Sequence, residues 1–197
     1  MAKFRLAPIR WFGNAAGPII QFVMYKLASV FLLIGLANGL AAESKFAPTD
    51  WPNWRGLTSD GQALLVDGLP TEWSETKNVV WKTPVPGRGH STPTVVGERI
   101  YLATADEDEM FQAVLCIDKA NGKVVWQTKV HEGQFAIGLN KNASHAGTAV
   151  VHDGERLFVN FVIGNQAYAT AISLNGKILW QKPIGKYKVH QGYGSSP

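Results

Sequence analysis

Three stretches of this chain carry the same tryptophan-bearing strand pattern: residues 79–85 around Trp81, 125–130 around Trp126 and 179–184 around Trp180. The tryptophans stand 45 and 54 residues apart. Self-similarity at such a period means that one supersecondary unit is copied along the chain and that each copy buries its apolar faces against its neighbours. A chain built this way has few architectures open to it.

Strands and turns recur in one order between the tryptophans. The first unit reads as strand 92–96, a turn at Gly97-Glu98, strand 99–105, a loop at 106–109, strand 113–118, a turn at Asn121-Gly122 and strand 123–130. The second reads as strand 148–151, a turn at Asp153-Gly154, strand 156–161, a loop at Gly164-Asn165, strand 168–173, a turn at Asn175-Gly176 and strand 177–184. Asn-Gly and Asp-Gly favour tight type I′ hairpins, which need positive φ at both central positions. Each unit is therefore expected to be a four-stranded antiparallel meander. Runs such as LFVNF and AVLCI are apolar on both faces, as in a sheet covered on each side. An all-β fold follows, and units of this length point to a β-propeller. The competing two-sheet β-sandwich gives no reason to repeat one tryptophan at one place.

The residues on either side of the repeats read differently. Residues 42–77 are punctuated by glycine and proline and hold Trp51, Trp54 and Trp73. Three tryptophans in an irregular segment suggest a strap lying on a body, since each can bury about 150–250 Å². Further upstream, residues 27–42 (LASVFLLIGLANGLAA) are uncharged, follow Lys26 and end in small residues, with Gly39 and Ala41 suitably placed before a cleavage at Ala42. This is the order of a secretory signal, so residues 1–41 are expected to be removed, with Met24 as the true start. The alternative, an uncleaved anchor, needs roughly 20 apolar residues to span a bilayer. The location expected is periplasmic or secreted.

Four basic residues lie before residue 42 and no acid does; beyond that point basic residues balance the 15 acidic ones. No basic stripe remains to neutralise phosphates, so nucleic acid is not an expected partner. Cys116 is the only cysteine, which leaves no intrachain disulfide.

The run from Cys116 through Asp118 and Gly122 to Trp126 resembles the tryptophan-docking repeat of the pyrroloquinoline-quinone (PQQ)-like β-propellers: a small residue, an Asp two later, a Gly four after that and a Trp four after the Gly. Residues 171–180 show the same motif one residue short, with Ser173 at the Asp position, Gly176 and Trp180. The resemblance spans roughly residues 50–197 and gives Cys116 the role of small buried packing. It implies about two complete four-stranded blades, plus partial ones, of a seven- or eight-bladed ring over residues 78–197, so the chain is expected to be a fragment or a truncated product. Strand 78–85 would complete a blade that has no other strands here. Both Trp126→Ala and Trp180→Ala are expected to cost about 3–5 kcal/mol.

Chemistry is less legible. His90, His145 and His190 each fall between a tryptophan strand and the next unit, where they could ring one mouth of a channel and hold a metal. No carboxylate stands beside them, and His145 is out of register, so capping of loops is the plainer role. Residues 106–109 lack the spaced ligands of a calcium loop, and Asn142-Ala143-Ser144 matches a glycosylation pattern that is common by chance. No GxSxG, HExxH or phosphate-cradling motif is present. Quinoprotein dehydrogenases of the resembling family hold PQQ with adjacent cysteines, calcium-binding carboxylates and a catalytic Asp, none of which matches here residue by residue. Other members bind no quinone and act as scaffolds. No catalytic residue and no cofactor are therefore expected, with PQQ and calcium as the alternative. The expected role is a binding or scaffold module of the cell envelope, whose partner is a protein or a small ligand and whose contact with membrane is limited to an uncleaved signal. Fold alone does not give function.

Overall fold

The computed structural model describes residues 44–63, 68–135, 137–188 and 190–197. The signal segment and the start at Met24 lie outside the described residues. Among the described residues there is no helix, and eight strands form two antiparallel meanders. The first sheet runs β1 (Thr94–Val96), β2 (Arg99–Asp106), β3 (Phe111–Asp118) and β4 (Val124–Glu132). The second runs β5 (Val151–His152), β6 (Arg156–Ile163), β7 (Gln166–Ser173) and β8 (Ile178–Lys186). Both sheets are open, each keeping the order of the chain. β1 and β5 are in contact, so the two meanders lie as adjacent blades that meet at their first strands.

The copies match in detail. Tyr101 faces Cys116 across the β2–β3 ladder where Phe158 faces Ala171 across β6–β7. Bulges fall at Gln112/Ala113 and Cys116/Ile117 in the first sheet and at Ala167/Tyr168 and Ala171/Ile172 in the second. A bulge bends its strand and sharpens the local twist, so repeating it at matched places gives both sheets the same curvature. One core lies between them, where Tyr101, Ala103, Ala105, Val114 and Cys116 of the first meet Leu157, Val159, Phe161 and Ile172 of the second. Alanines on one side opposite Leu and Phe on the other let the sheets close to native packing density. Thr94 Oγ1 donates to the Val150 carbonyl, and Gln112 Nε2 donates to the carbonyls of His145 (2.7 Å) and Val162 (3.0 Å).

The tryptophans make the joint. Trp126 on β4 lies over Gly176 in the β7–β8 turn and donates Nε1–H to the Leu174 carbonyl at 3.0 Å, while Thr128 Oγ1 donates to the Gly176 carbonyl at 2.5 Å. Trp81 repeats the arrangement over Gly122, with Nε1–H donated to the Lys119 carbonyl at 2.9 Å and Thr83 Oγ1 to the Gly122 carbonyl at 2.5 Å. A Cβ at Gly122 or Gly176 would stand 2.5 or 2.8 Å from the indole, and both residues have positive φ, +73° and +87°. The motif glycine thus accepts the tryptophan of the preceding repeat as well as turning its own hairpin.

The structure corrects several readings of the sequence. The turns at Asn121-Gly122 and Asn175-Gly176 are not type I′, because only the glycine has positive φ. Asp118 Oδ1 takes the Ala120 amide at 3.0 Å and Asp118 O takes that of Gly122 at 2.8 Å, which winds the loop one residue longer than a two-residue turn. β5 is shorter and later than expected, because Thr148 is fully buried with its Oγ1 donated to the Asn160 carbonyl at 2.7 Å. Residues 78–85 join no ladder of the described residues; Trp81 and Thr83 hold them to the first sheet.

Of the lead-in tryptophans, Trp51 bridges β1 by paired hydrogen bonds to Val95 of 2.6 and 2.9 Å, whereas Trp54 and Trp73 stand 56% and 72% exposed. Trp180 is 37% exposed and touches Phe158, and among the described residues no turn lies beneath it, so its burial does not equal that of Trp126. Trp126→Ala is accordingly expected to cost about 3–5 kcal/mol, and Trp180→Ala about 1 kcal/mol. Denaturant unfolding separates the two, and equal losses would contradict the asymmetry. Gly176→Ala is expected to reproduce much of the Trp126→Ala loss without touching the indole itself.

Candidate functional site

The connections that carry the chain from one repeat into the next are residues 86–93, 133–150 and 187–197, and they hold every histidine singled out from the sequence. They are bound to one another by hydrogen bonds from both backbone and side chains. His90 N donates to the Ala146 carbonyl at 2.9 Å, Arg88 Nη2 donates to the Ala143 carbonyl, and Ala149 N donates to Ser196 Oγ at 2.9 Å. Gly89, Gly147 and Gly194 lie where these connections cross; a Cβ on either of the first two would stand 2.8 Å from a carbonyl oxygen.

The three histidines have three separate environments. His90 is exposed, with Nδ1 3.0 Å from Ser144 Oγ. His145 is half-buried and stacked on Phe135 at 4.3 Å between centroids, and burial lowers its pKa. His190 is exposed, with Nδ1 3.1 Å from Gln191 Nε2. The fold does not bring them together, and among the described residues no three His, Cys, Asp or Glu side chains gather where they could hold a metal ion. The acidic loop is a capped turn, in which Asp106 Oδ1 accepts the amides of Asp108 and Glu109 at 3.0 and 2.9 Å.

The motif residues serve the packing. Asp118 pairs with Arg99 at 2.7 Å while it caps its turn, and Ser173 Oγ takes the Lys177 amide at 3.0 Å in the second copy. Cys116 is 1% exposed beside Tyr101 in the core between the sheets. Burial there pushes its thiol pKa up to about 11 and the Tyr101 hydroxyl up to about 12, so neither ionises near neutrality.

A family model described as outer membrane protein assembly factor BamB, of the PQQ-like repeat type, matches residues 49–192. No curated protein matches the chain.

Two buried polar side chains carried no signal in the sequence reading. Gln112 and His131 are Cα partners across the β3–β4 ladder, and each leaves one buried atom, Gln112 Oε1 and His131 Nε2, with no partner. His131 packs against Tyr168 and Phe161 of the second sheet, at 5.0 and 6.2 Å between centroids. The one available hint was a polar Gln at the start of a strand otherwise built from apolar residues.

Burial holds the His131 pKa down at about 4. The folded value lies below the ordinary 6.5, so this stabilising effect is complete above about pH 6.5 and is lost as the pH falls toward 4. Acid is expected to remove up to about 3 kcal/mol over that window. His131→Phe should remove the larger part of that dependence in unfolding curves taken from pH 7 to 4, with smaller contributions left from His145 and His152, whose pKa values burial also lowers. A variant as acid-sensitive as the parent would contradict the assignment.

Proposed function

The chain belongs to the PQQ-like repeat family described by outer membrane protein assembly factor BamB, and from that membership we propose that it is an exported, non-catalytic binding or scaffold module of the cell envelope. The observation that carries this reading is the use made of the motif's polar groups. Trp126 Nε1, Thr128 Oγ1 and the Asp118 carboxylate are all consumed in joining sheets and turns, so the repeat builds a surface and leaves its loops to bind. The family is described as that of an outer membrane protein assembly factor, and the signal-like residues 27–42 suit the same compartment. The expected partner is an envelope protein or a small ligand.

The donor set does not fit PQQ with calcium. The family's quinone site uses adjacent cysteines and calcium-binding carboxylates, while the single Cys116 is sealed between sheets and Asp118 is tied to Arg99. Titration of the full chain with PQQ and calcium, followed by assays of alcohol- and sugar-dependent dye reduction, is expected to give neither saturable quinone absorbance nor turnover. Cell fractionation is expected to place a chain beginning at Ala42 in the periplasm. Saturable quinone binding with dye reduction would overturn the non-catalytic reading, and retention in the cytoplasm would overturn the export.

A further inference from the structure

A cleft of about 600 Å³ opens between the lead-in and the inner strand of the second sheet. Val151 of β5 lines it, with Asn53, Trp54, Arg55 and Ser59 on one side and residues 194–197 on the other. Its volume falls in the range of small-molecule sites. Among the described side chains that line it, Arg55 is the one charged group. The Arg55 guanidinium carbon lies 4.6 Å from the centroid of the Trp54 ring, within cation–π distance. Four arginines are described, and three are engaged: Arg88 with the Ala143 carbonyl, Arg99 with Asp118 and Arg156 with Asp153. Among the described residues the Arg55 fork has no such partner. Asn53 spends its Oδ1 on the Arg55 amide at 3.1 Å, which leaves its two N–H donors. Ser196 Oγ accepts the Ala149 amide and so keeps its own hydrogen to donate. No Asp or Glu lines the cleft; Asp60, next to Ser59, is turned onto Thr58 and the Gln62 amide at 2.6 and 2.9 Å.

The loop that carries these donors is fixed in advance. Gly56 N donates to the Asn53 carbonyl at 3.1 Å and Gly61 N to the Arg55 carbonyl at 3.0 Å. Gly56 rests against the Trp51 ring, where a Cβ would stand 2.7 Å away, and Trp51 is itself paired to β1. Ser59 is held at φ +60°, a left-handed conformation that a serine keeps only where its surroundings enforce it. A loop pinned by these bonds, presenting the Arg55 guanidinium and neutral donors with Asp60 engaged by Thr58 and Gln62, is complementary to a planar anion with two oxygens.

We propose that this cleft is a binding site for the carboxylate of a small organic acid, with Arg55 as its bidentate anchor and Val151 and Trp54 against the acid's apolar body. The site is independent of the envelope reading: it needs only the cleft, and it would exist in any compartment. Benzoate titrated into the full chain, followed by tryptophan fluorescence and calorimetry, is expected to saturate with a dissociation constant on the order of 1–10 mM. Benzamide, the neutral isostere, is expected to bind at least about 10-fold more weakly, and Arg55→Gln to lose at least about 10-fold in benzoate affinity. Arg55 is exposed, and an unchanged thermal midpoint in Arg55→Gln checks that the variant folds. Benzamide binding as well as benzoate, unaltered benzoate affinity in folded Arg55→Gln, or no saturation by about 100 mM benzoate would each overturn the proposal.

Discussion

One indole joins the two halves of this fold. Trp126 lies over the bare Cα of Gly176, its N–H is spent on the Leu174 carbonyl, and Thr128 repeats the reach two residues on. The contact works only because the turn has no side chain at that point and because the chain there is left-handed, a conformation glycine adopts at little cost. It sets how far the sheets stand apart, so the core between them must be filled by small residues on one side and large ones on the other. The buried Gln112, Cys116 and His131 all lie within the space that this joint defines.

The periodicity of the tryptophans, with the turns recurring between them, was enough to read the fold class and the strand order, and the resemblance to the PQQ-like repeat gave the burial of Cys116. A repeated glycine and aromatic at fixed spacing is a local pattern, and local patterns survive in a sequence. The partner of each tryptophan was not legible, since Trp126 meets a turn about fifty residues further on and nothing near Trp126 says so. The same limit explains Trp180, identical in motif but 37% exposed, because exposure depends on what covers a residue and not on its neighbours in the chain. The Asn121-Gly122 turn misled for a more local reason: the carboxylate of Asp118 recruits the Ala120 amide and lengthens the loop.

The candidate site was legible only in part. The histidines lie in the connections between repeats, but similar placement in sequence does not bring similar environment: His145 is half-buried against Phe135, whereas His90 and His190 are exposed. His131 and Gln112 escaped notice since a polar residue in a strand ordinarily faces solvent, and only the facing sheet makes these two buried. The Arg55 cleft escaped for the converse reason. Its two sides come from residues more than a hundred positions apart, and no motif links them.

The account rests on the claim that the tryptophan joint makes the two sheets one cooperative unit. Native-state hydrogen exchange read on the amides of β3 and β7 tests this most directly. One unit predicts the same opening free energy for both strands and an equal fall in both when Trp126 is replaced by Phe. Exchange of β7 through openings that leave β3 protected, unaffected by that replacement, would contradict it.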